Sequence, residues 1–338
     1  MKVPEDERIL LAHGSGGKLS HDLVEKGFLP SFDNPLLSRL DDSAVFDVKG
    51  RLAFTTDSYI VTPIFFAGGD IGKLAVCGTV NDLAMSGATP LYLSTSFIIE
   101  EGFLLADLAR IVTSIKQAVD EAGAKVVTGD TKVVNRGSAD GVFINTAGVG
   151  VIPEGIDISG SNARAGDAVI LSGPIGEHGV AIMSEREGLK FASPVQSDCA
   201  PLNRLVSDML DVSREIHCLR DPTRGGLATT LNEFAAQSGV GVLIREDAIP
   251  VSDAVRAACE MLGLDPLYVA NEGRLVAVVG PGDVEQLLDR MRANKYGRGA
   301  AVIGEVTDDH PGKVVLRTTL GASRIVDMLV GELLPRIC

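Results

Sequence analysis

A cysteine stands at position 338, preceded by Pro335-Arg336-Ile337 and far from any CxxC pair. That isolation argues against a zinc knuckle or a dithiol redox motif. A thiol on a short tail has reach instead, and can visit a site on its own chain and then a partner. Arg336 favours a thiolate, the terminal carboxylate opposes one, and Pro335 stiffens the approach. The competing reading is an incidental cysteine. Carboxylates form the second group. Asp41 and Asp42 precede a short apolar run, Asp57 closes a predicted strand, and Asp130 follows another in Gly129-Asp130-Thr131-Lys132. Such positions suit Mg²⁺, which takes a few carboxylates together with waters and phosphate oxygens; a turn or cap role is the alternative for each. Asp82 differs, because it lies with Asn81 inside the apolar helical run from Asp70 to Gly87. A carboxylate there is costly unless paired or metal-bound, which makes Asp82 the strongest single candidate ligand.

Glycine-rich turns supply the third group. His13-Gly14-Ser15-Gly16-Gly17-Lys18 precedes a predicted helix over 19–25, and its backbone N–H groups with Lys18 suit a phosphate. The spacing is not that of a Walker loop, and a plain turn is the other reading. A similar turn over 172–179 carries His178, readable as catalytic or as a structural cap. Asp221-Pro222-Thr223-Arg224-Gly225-Gly226 opens a helix over 227–237, where Thr223 and Arg224 would hold a phosphate or the chain's own tail. Glu272, between Asn271 and Gly273, is a candidate base.

The elements that must position these groups alternate. Strands are predicted over 51–56, 91–99, 124–128, 141–149, 167–171, 241–245, 274–279, 301–306 and 313–316, with helices between them. This is an α/β (α+β) chain of two layered domains, 1–155 and 156–334, with a flexible tail over 335–338. The 338 residues suffice for both, and 45% hydrophobic composition supports real cores. A net charge of −14 argues against nucleic acid and membrane surfaces as partners. No apolar run reaches membrane-spanning length and the first residues are too polar for a signal peptide. Five sparse cysteines fit reduced thiols and a cytoplasmic location.

Together, Asp41-Asp42-Ser43-Ala44-Val45, Asp57, Val80-Asn81-Asp82-Leu83-Ala84, Gly87-Ala88-Thr89-Pro90, Gly129-Asp130-Thr131 and the 221–226 turn resemble the aminoimidazole ribonucleotide synthetase (PurM-like) superfamily over most of the chain. Within it, the 13–18 segment and Pro335-Arg336-Ile337-Cys338 resemble the HypE family of hydrogenase maturation proteins.

The resemblance implies a PurM-like fold whose N-terminal mixed sheet pairs in a homodimer, with ATP bound between the first domain and the glycine-rich start. It implies a HypF-like carbamoyltransferase that loads Cys338. ATP-dependent dehydration of the thiocarboxamide to a thiocyanate follows, and a HypC–HypD-like scaffold receives the cyanide for the iron of a nickel–iron hydrogenase. Mapped onto this sequence, the resemblance makes Asp42, Asp57, Asp82 and Asp130 the Mg²⁺ ligands in some combination. Gly16, Gly17, Lys18 and Asn81 join them around ATP, and Lys132 and Glu272 manage the nitrogen protons. The alternatives are a thiamine-monophosphate kinase or selenophosphate synthetase of the same superfamily, or a non-enzymatic carrier regulated by ATP.

Overall fold

The computed structural model describes residues 7–14, 18–39, 43–188, 195–329 and 337. Gly16, Gly17, Asp42 and Cys338, with Asp41, Pro335 and Arg336, lie outside the described residues. The first unit runs α1 (Lys18–Leu23), a π-helical turn (Val24–Phe28), α2 (Leu29–Phe32), β1 (Arg51–Tyr59), the short strands β2 (Phe65–Phe66) and β3 (Gly69–Asp70), α3 (Ile71–Met85), β4 (Thr89–Glu100), α4 (Leu105–Ala122), β5 (Lys125–Val134) and β6 (Val142–Ile152). The second runs β7 (Ala168–Leu171), α5 (Glu177–Arg186), α6 (Asn203–Leu210), β8 (Ile216–Arg220), α7 (Gly226–Ser238), β9 (Gly241–Arg245), α8 (Asp253–Leu262), β10 (Val276–Val279), α9 (Val284–Ala293), β11 (Ala301–Thr307), β12 (Val314–Arg317) and β13 (Ser323–Val326). The fold is thus mixed α/β.

The first sheet has the order β1–β6–β4–β5, with β4 and β5 parallel and the other pairs antiparallel. Strand alternation gives it two faces. Ile144, Thr146 and Gly148 of β6 are buried, and their register partners Tyr59, Asp57 and Thr55 share that face with α3. The other face carries Leu52, Phe54 and Ile98, exposed by 52, 70 and 43%. Helix α4 buries the stripe Leu105, Leu108, Ile111, Val112, Ile115, Ala118, Val119 and Ala122, the spacing of one helical face. Helix α3 has thirteen of fifteen residues buried, because it packs on the sheet, on α4 and on the second unit. The second sheet, β13–β12–β9–β11–β7–β10–β8, is antiparallel except between β9 and β12.

Three sequence expectations differ from the structure. Asp57 and Asp130 lie inside β1 and β5, whose ladders continue to Tyr59↔Ile144 and Glu100↔Val134. Strands β2, β3, β8 and β13 were not anticipated; in β8, His217 and Arg220 interrupt the apolar pattern, although its first four residues are buried. Ile337, expected in a free tail, is 3% exposed within a cluster that includes Ile182, Cys199 and Ala270.

Candidate functional site

Two cavities collect most of the described candidates. The first, about 180 Å³, opens at the seam between the units and is lined by Asp57, Tyr59, Asp82, Asp221, Arg224 and Glu272, among others. Asp57 reaches it from β1 and Asp82 from α3. Thr55 Oγ1 donates to Asp82 Oδ2 at 2.7 Å, and the Tyr59 hydroxyl stands 3.5 Å from Asp57 Oδ2. Gly78 makes room for that tyrosine, since a Cβ there would run into its hydroxyl. Asp221 and Arg224 come from the turn entering α7. Gly225 and Gly226 are both left-handed (φ 77° and 60°), and a Cβ on Gly226 would meet the Leu267 carbonyl at 2.6 Å. Only glycine lets this turn pack so closely against the segment leading to Glu272.

The electrostatics follow from crowding carboxyls in a half-dry space. Burial, then the charge of Asp82, pushes Asp57 up to about 6, while Arg224 pulls the other way. Burial and Asp82 push Asp221 up to about 7. Glu272 is 2% exposed, and burial followed by Cys199, Asp221, Asp198 and Asp57 raises it well above the ordinary range. Its Oε1 is buried without a hydrogen-bond partner. An orphaned carboxyl oxygen beside three aspartates is a place for a proton or a cation.

The second cavity, about 310 Å³, lies where the N-terminal segment covers the β5 edge. Phe28, Phe32, Phe97 and Leu37 give it an apolar wall, with Phe28 and Phe97 stacked at 5.1 Å, and Asp130 and Lys132 are polar members of the lining. An apolar slot with a few charged groups is the usual form of a small-molecule site. Lys132 Nζ donates to Asp130 Oδ1 at 2.7 Å, and that bond lowers the Asp130 pKa.

The structure therefore brings Asp57, Asp82 and Glu272 together and keeps Asp130 and Lys132 elsewhere. Asp130 pairs with Ser96 on the exposed face, while Asp57 is on the helix-covered face three strands away, about 14 Å at ordinary strand spacing. Lys18 is exposed at the start of α1 and lines neither cavity. Asn81 is buried and its amide is taken up by the second unit: Nδ2 donates to Ala200 O (3.1 Å) and Glu272 O (3.2 Å), and Oδ1 accepts from Leu202 N (2.8 Å).

Among the described residues no group of three or more His, Cys, Asp or Glu could hold a metal ion. The Asp57–Asp82 pair nevertheless fits Mg²⁺, which takes one or two carboxylates and completes its shell with waters and phosphates. Sequence reasoning missed Asp221 and Tyr59. Asp221 read as a turn opener because Asp-Pro is a turn signal, and only its burial reveals a chemical environment.

The chain matches the AIR synthase related protein family, the N-terminal domain over residues 40–152 and the C-terminal domain over 164–317. It is 56% identical over 333 residues to carbamoyl dehydratase HypE of Cupriavidus necator, covering 98% of this chain and 95% of that one. It superimposes with a TM-score of 0.95 on a crystal structure of hydrogenase maturation protein HypE in complex with ATP, at 52% identity over 97% of this chain and 99% of that one. A HypE–HypF complex structure matches with a TM-score of 0.81 and 50% identity, over 91% of this chain and 99% of the other. Within the AIR synthase related proteins, the chain belongs to the carbamoyl dehydratase HypE family. The thiamine-monophosphate kinase, selenophosphate synthetase and pure carrier readings give way to it.

Proposed function

We infer that this chain is an ATP-dependent dehydratase that converts a carbamoyl group on Cys338 to a thiocyanate in nickel–iron hydrogenase maturation. The observation that carries the chemistry is Glu272, a buried carboxyl with one unpartnered oxygen beside Asp57, Asp82 and Asp221. Dehydration removes the carbamoyl oxygen and both nitrogen protons, leaving S–C≡N. Bound ATP with Mg²⁺ supplies the phosphoryl group that makes the oxygen a leaving group. Asp57 and Asp82 would hold the ion, Arg224 offers positive charge at the same cavity, and Glu272 takes and passes on a nitrogen proton. A carboxyl whose burial disfavours its charged form gains from taking up such a proton.

The apolar slot beside β5 suits the nucleotide base, with Asp130 and Lys132 toward its polar part. Pairing of two copies through the exposed face of the first sheet is supported by Phe54, Leu52 and Ile98, large apolar side chains left in solvent. Asp130 and Lys132 stand on that face and would look toward the second copy. A HypF-like carbamoyltransferase is the proposed donor and a HypC–HypD-like scaffold the acceptor. A cytoplasmic site of action fits the free thiols Cys77, Cys199, Cys218 and Cys259. No helix among the described residues is long and apolar enough to cross a membrane.

The test is the mass of the peptide from Leu333 to Cys338, released by cleavage after Glu332. Incubation with the transferase and carbamoyl phosphate adds about 43 Da, and Mg-ATP lowers the gain to about 25 Da. No modification with an active transferase refutes the tail as carrier, and carbamoylation that never loses water refutes the dehydratase.

A further inference from the structure

Ile337 is held as well as buried. His178 Nε2 lies 2.7 Å from the Ile337 carbonyl oxygen, and His178 Nδ1 lies 2.8 Å from Ser197 Oγ. The carbonyl only accepts, so Nε2 carries the hydrogen. In the neutral ring Nδ1 then accepts from the Ser197 hydroxyl, whose oxygen accepts in turn from Cys199 N at 3.1 Å. Burial keeps the ring neutral by lowering its pKa, against the raising effect of Asp198 and the Ile337 contact. The edge-to-face Phe66 ring, 5.6 Å between centroids, and the Ser197 N–Ala67 O bond of 2.8 Å lock this relay to the first unit.

The same helix is tied to the acidic cavity. Asn271 Oδ1 accepts from Gly176 N at 2.7 Å, at the start of α5, and its Nδ2 donates to Pro222 O at 2.9 Å. Gly179 N donates to Ala270 O at 3.1 Å. A continuous set of hydrogen bonds and one backbone segment thus joins Glu272, through Asn271 and α5, to the carbonyl bonded to the nitrogen of Cys338. We propose that His178 is a positioning residue that clasps the Ile337 carbonyl and so holds the last described residue in place for conversion of the group carried on Cys338. The proposal rests on the reading of Cys338 as the carbamoyl carrier. His178 touches no reacting atom; it fixes the last peptide unit, where a small misplacement costs a large factor in rate.

The experiment separates loading, conversion and docking in the full-length protein. Wild type, His178→Phe, His178→Gln and Ser197→Ala are carbamoylated by the transferase, and conversion of the 333–338 peptide is followed in a single turnover with Mg-ATP. Iodoacetamide labelling of Cys338 is measured in parallel on unloaded protein. His178→Phe removes the donor from a buried carbonyl, so conversion falls on the order of ten- to a hundredfold. Its ATP affinity and carbamoylation rate stay within about twofold of wild type while labelling of Cys338 rises, a pattern that general misfolding does not give. His178→Gln keeps a donor and recovers a large part of both losses. Ser197→Ala weakens the relay and gives smaller changes of the same sign. Wild-type conversion and labelling in both His178→Phe and Ser197→Ala overturn the proposal, as does slowed conversion without increased labelling. Should wild type itself never lose water, the dehydratase reading fails, while the labelling arm still decides whether His178 holds the tail.

Discussion

The surroundings of Glu272 and Asp57 disfavour the charged form of both carboxyls. Replacing Glu272 by Gln keeps the shape and removes the proton acceptor. Single-turnover dehydration is expected to fall by about 10²–10⁴ while loading of Cys338 is unchanged, read from the masses of the C-terminal peptide. Equal loss of both steps would assign Glu272 to the fold. Asp57 sets a pH dependence. Its folded value of about 6, and about 7 for Asp221, exceed the ordinary 3.8, so the folded state binds protons more tightly than the unfolded chain. Metal-free protein is therefore stabilised by these groups at low pH and loses that contribution as pH rises from about 4 to about 7. Asp57→Asn removes its share, raises Tm at pH 8 by roughly 2 °C in chelator and abolishes the added stabilisation by Mg²⁺. Thermal scans across pH check it, and an unchanged Mg²⁺ response would remove Asp57 from the ion's ligands. Glu272 stood out as a candidate in the sequence from its Asn and Gly neighbours; Asp221 did not, because the charges around it, Asp82 and Asp57, come from the other half of the chain.

At the scale of elements, α3 decides the site. It brings Asp82 to β1 and leaves a gap at Gly78 that Tyr59 fills. Gly78→Ala has favourable helix propensity and would stabilise an exposed helix, yet here it must push the tyrosine out of its place beside Asp57. We expect destabilisation of about 1–3 kcal/mol in chemical denaturation, with a further loss of turnover. A neutral or stabilising result would show that Tyr59 moves freely. The sequence pattern identified α3 and most strands, since apolar periodicity survives in them. It cut β1 and β5 short because Asp57 and the Gly129-Asp130 pair resemble strand ends. What carries both strands onward is pairing with β6 and β4, residues distant in sequence.

For the whole molecule, the exposed face of the first sheet leaves Leu52, Phe54 and Ile98 in solvent. If two copies pair there, sedimentation gives a dimer, and Phe54→Asp shifts it toward monomer by at least tenfold in dissociation constant, the ordinary effect of burying an unpaired charge. A monomeric wild type, or a dimer indifferent to this change, would move the interface elsewhere. The alternation of strands and helices in the second unit was legible apart from β8 and β13, but the docking of Ile337 was not. Nothing local in Pro335-Arg336-Ile337-Cys338 announces a histidine 159 positions earlier.

The Asn81 amide bears on safety as well as shape. By bonding three backbone groups of the opposite unit at full burial, it ties the two halves together at that point. On the proposed chemistry the carbon–nitrogen unit enters and leaves attached to the chain end, so it never becomes a free solute, and containment is a property of the architecture rather than of tight binding.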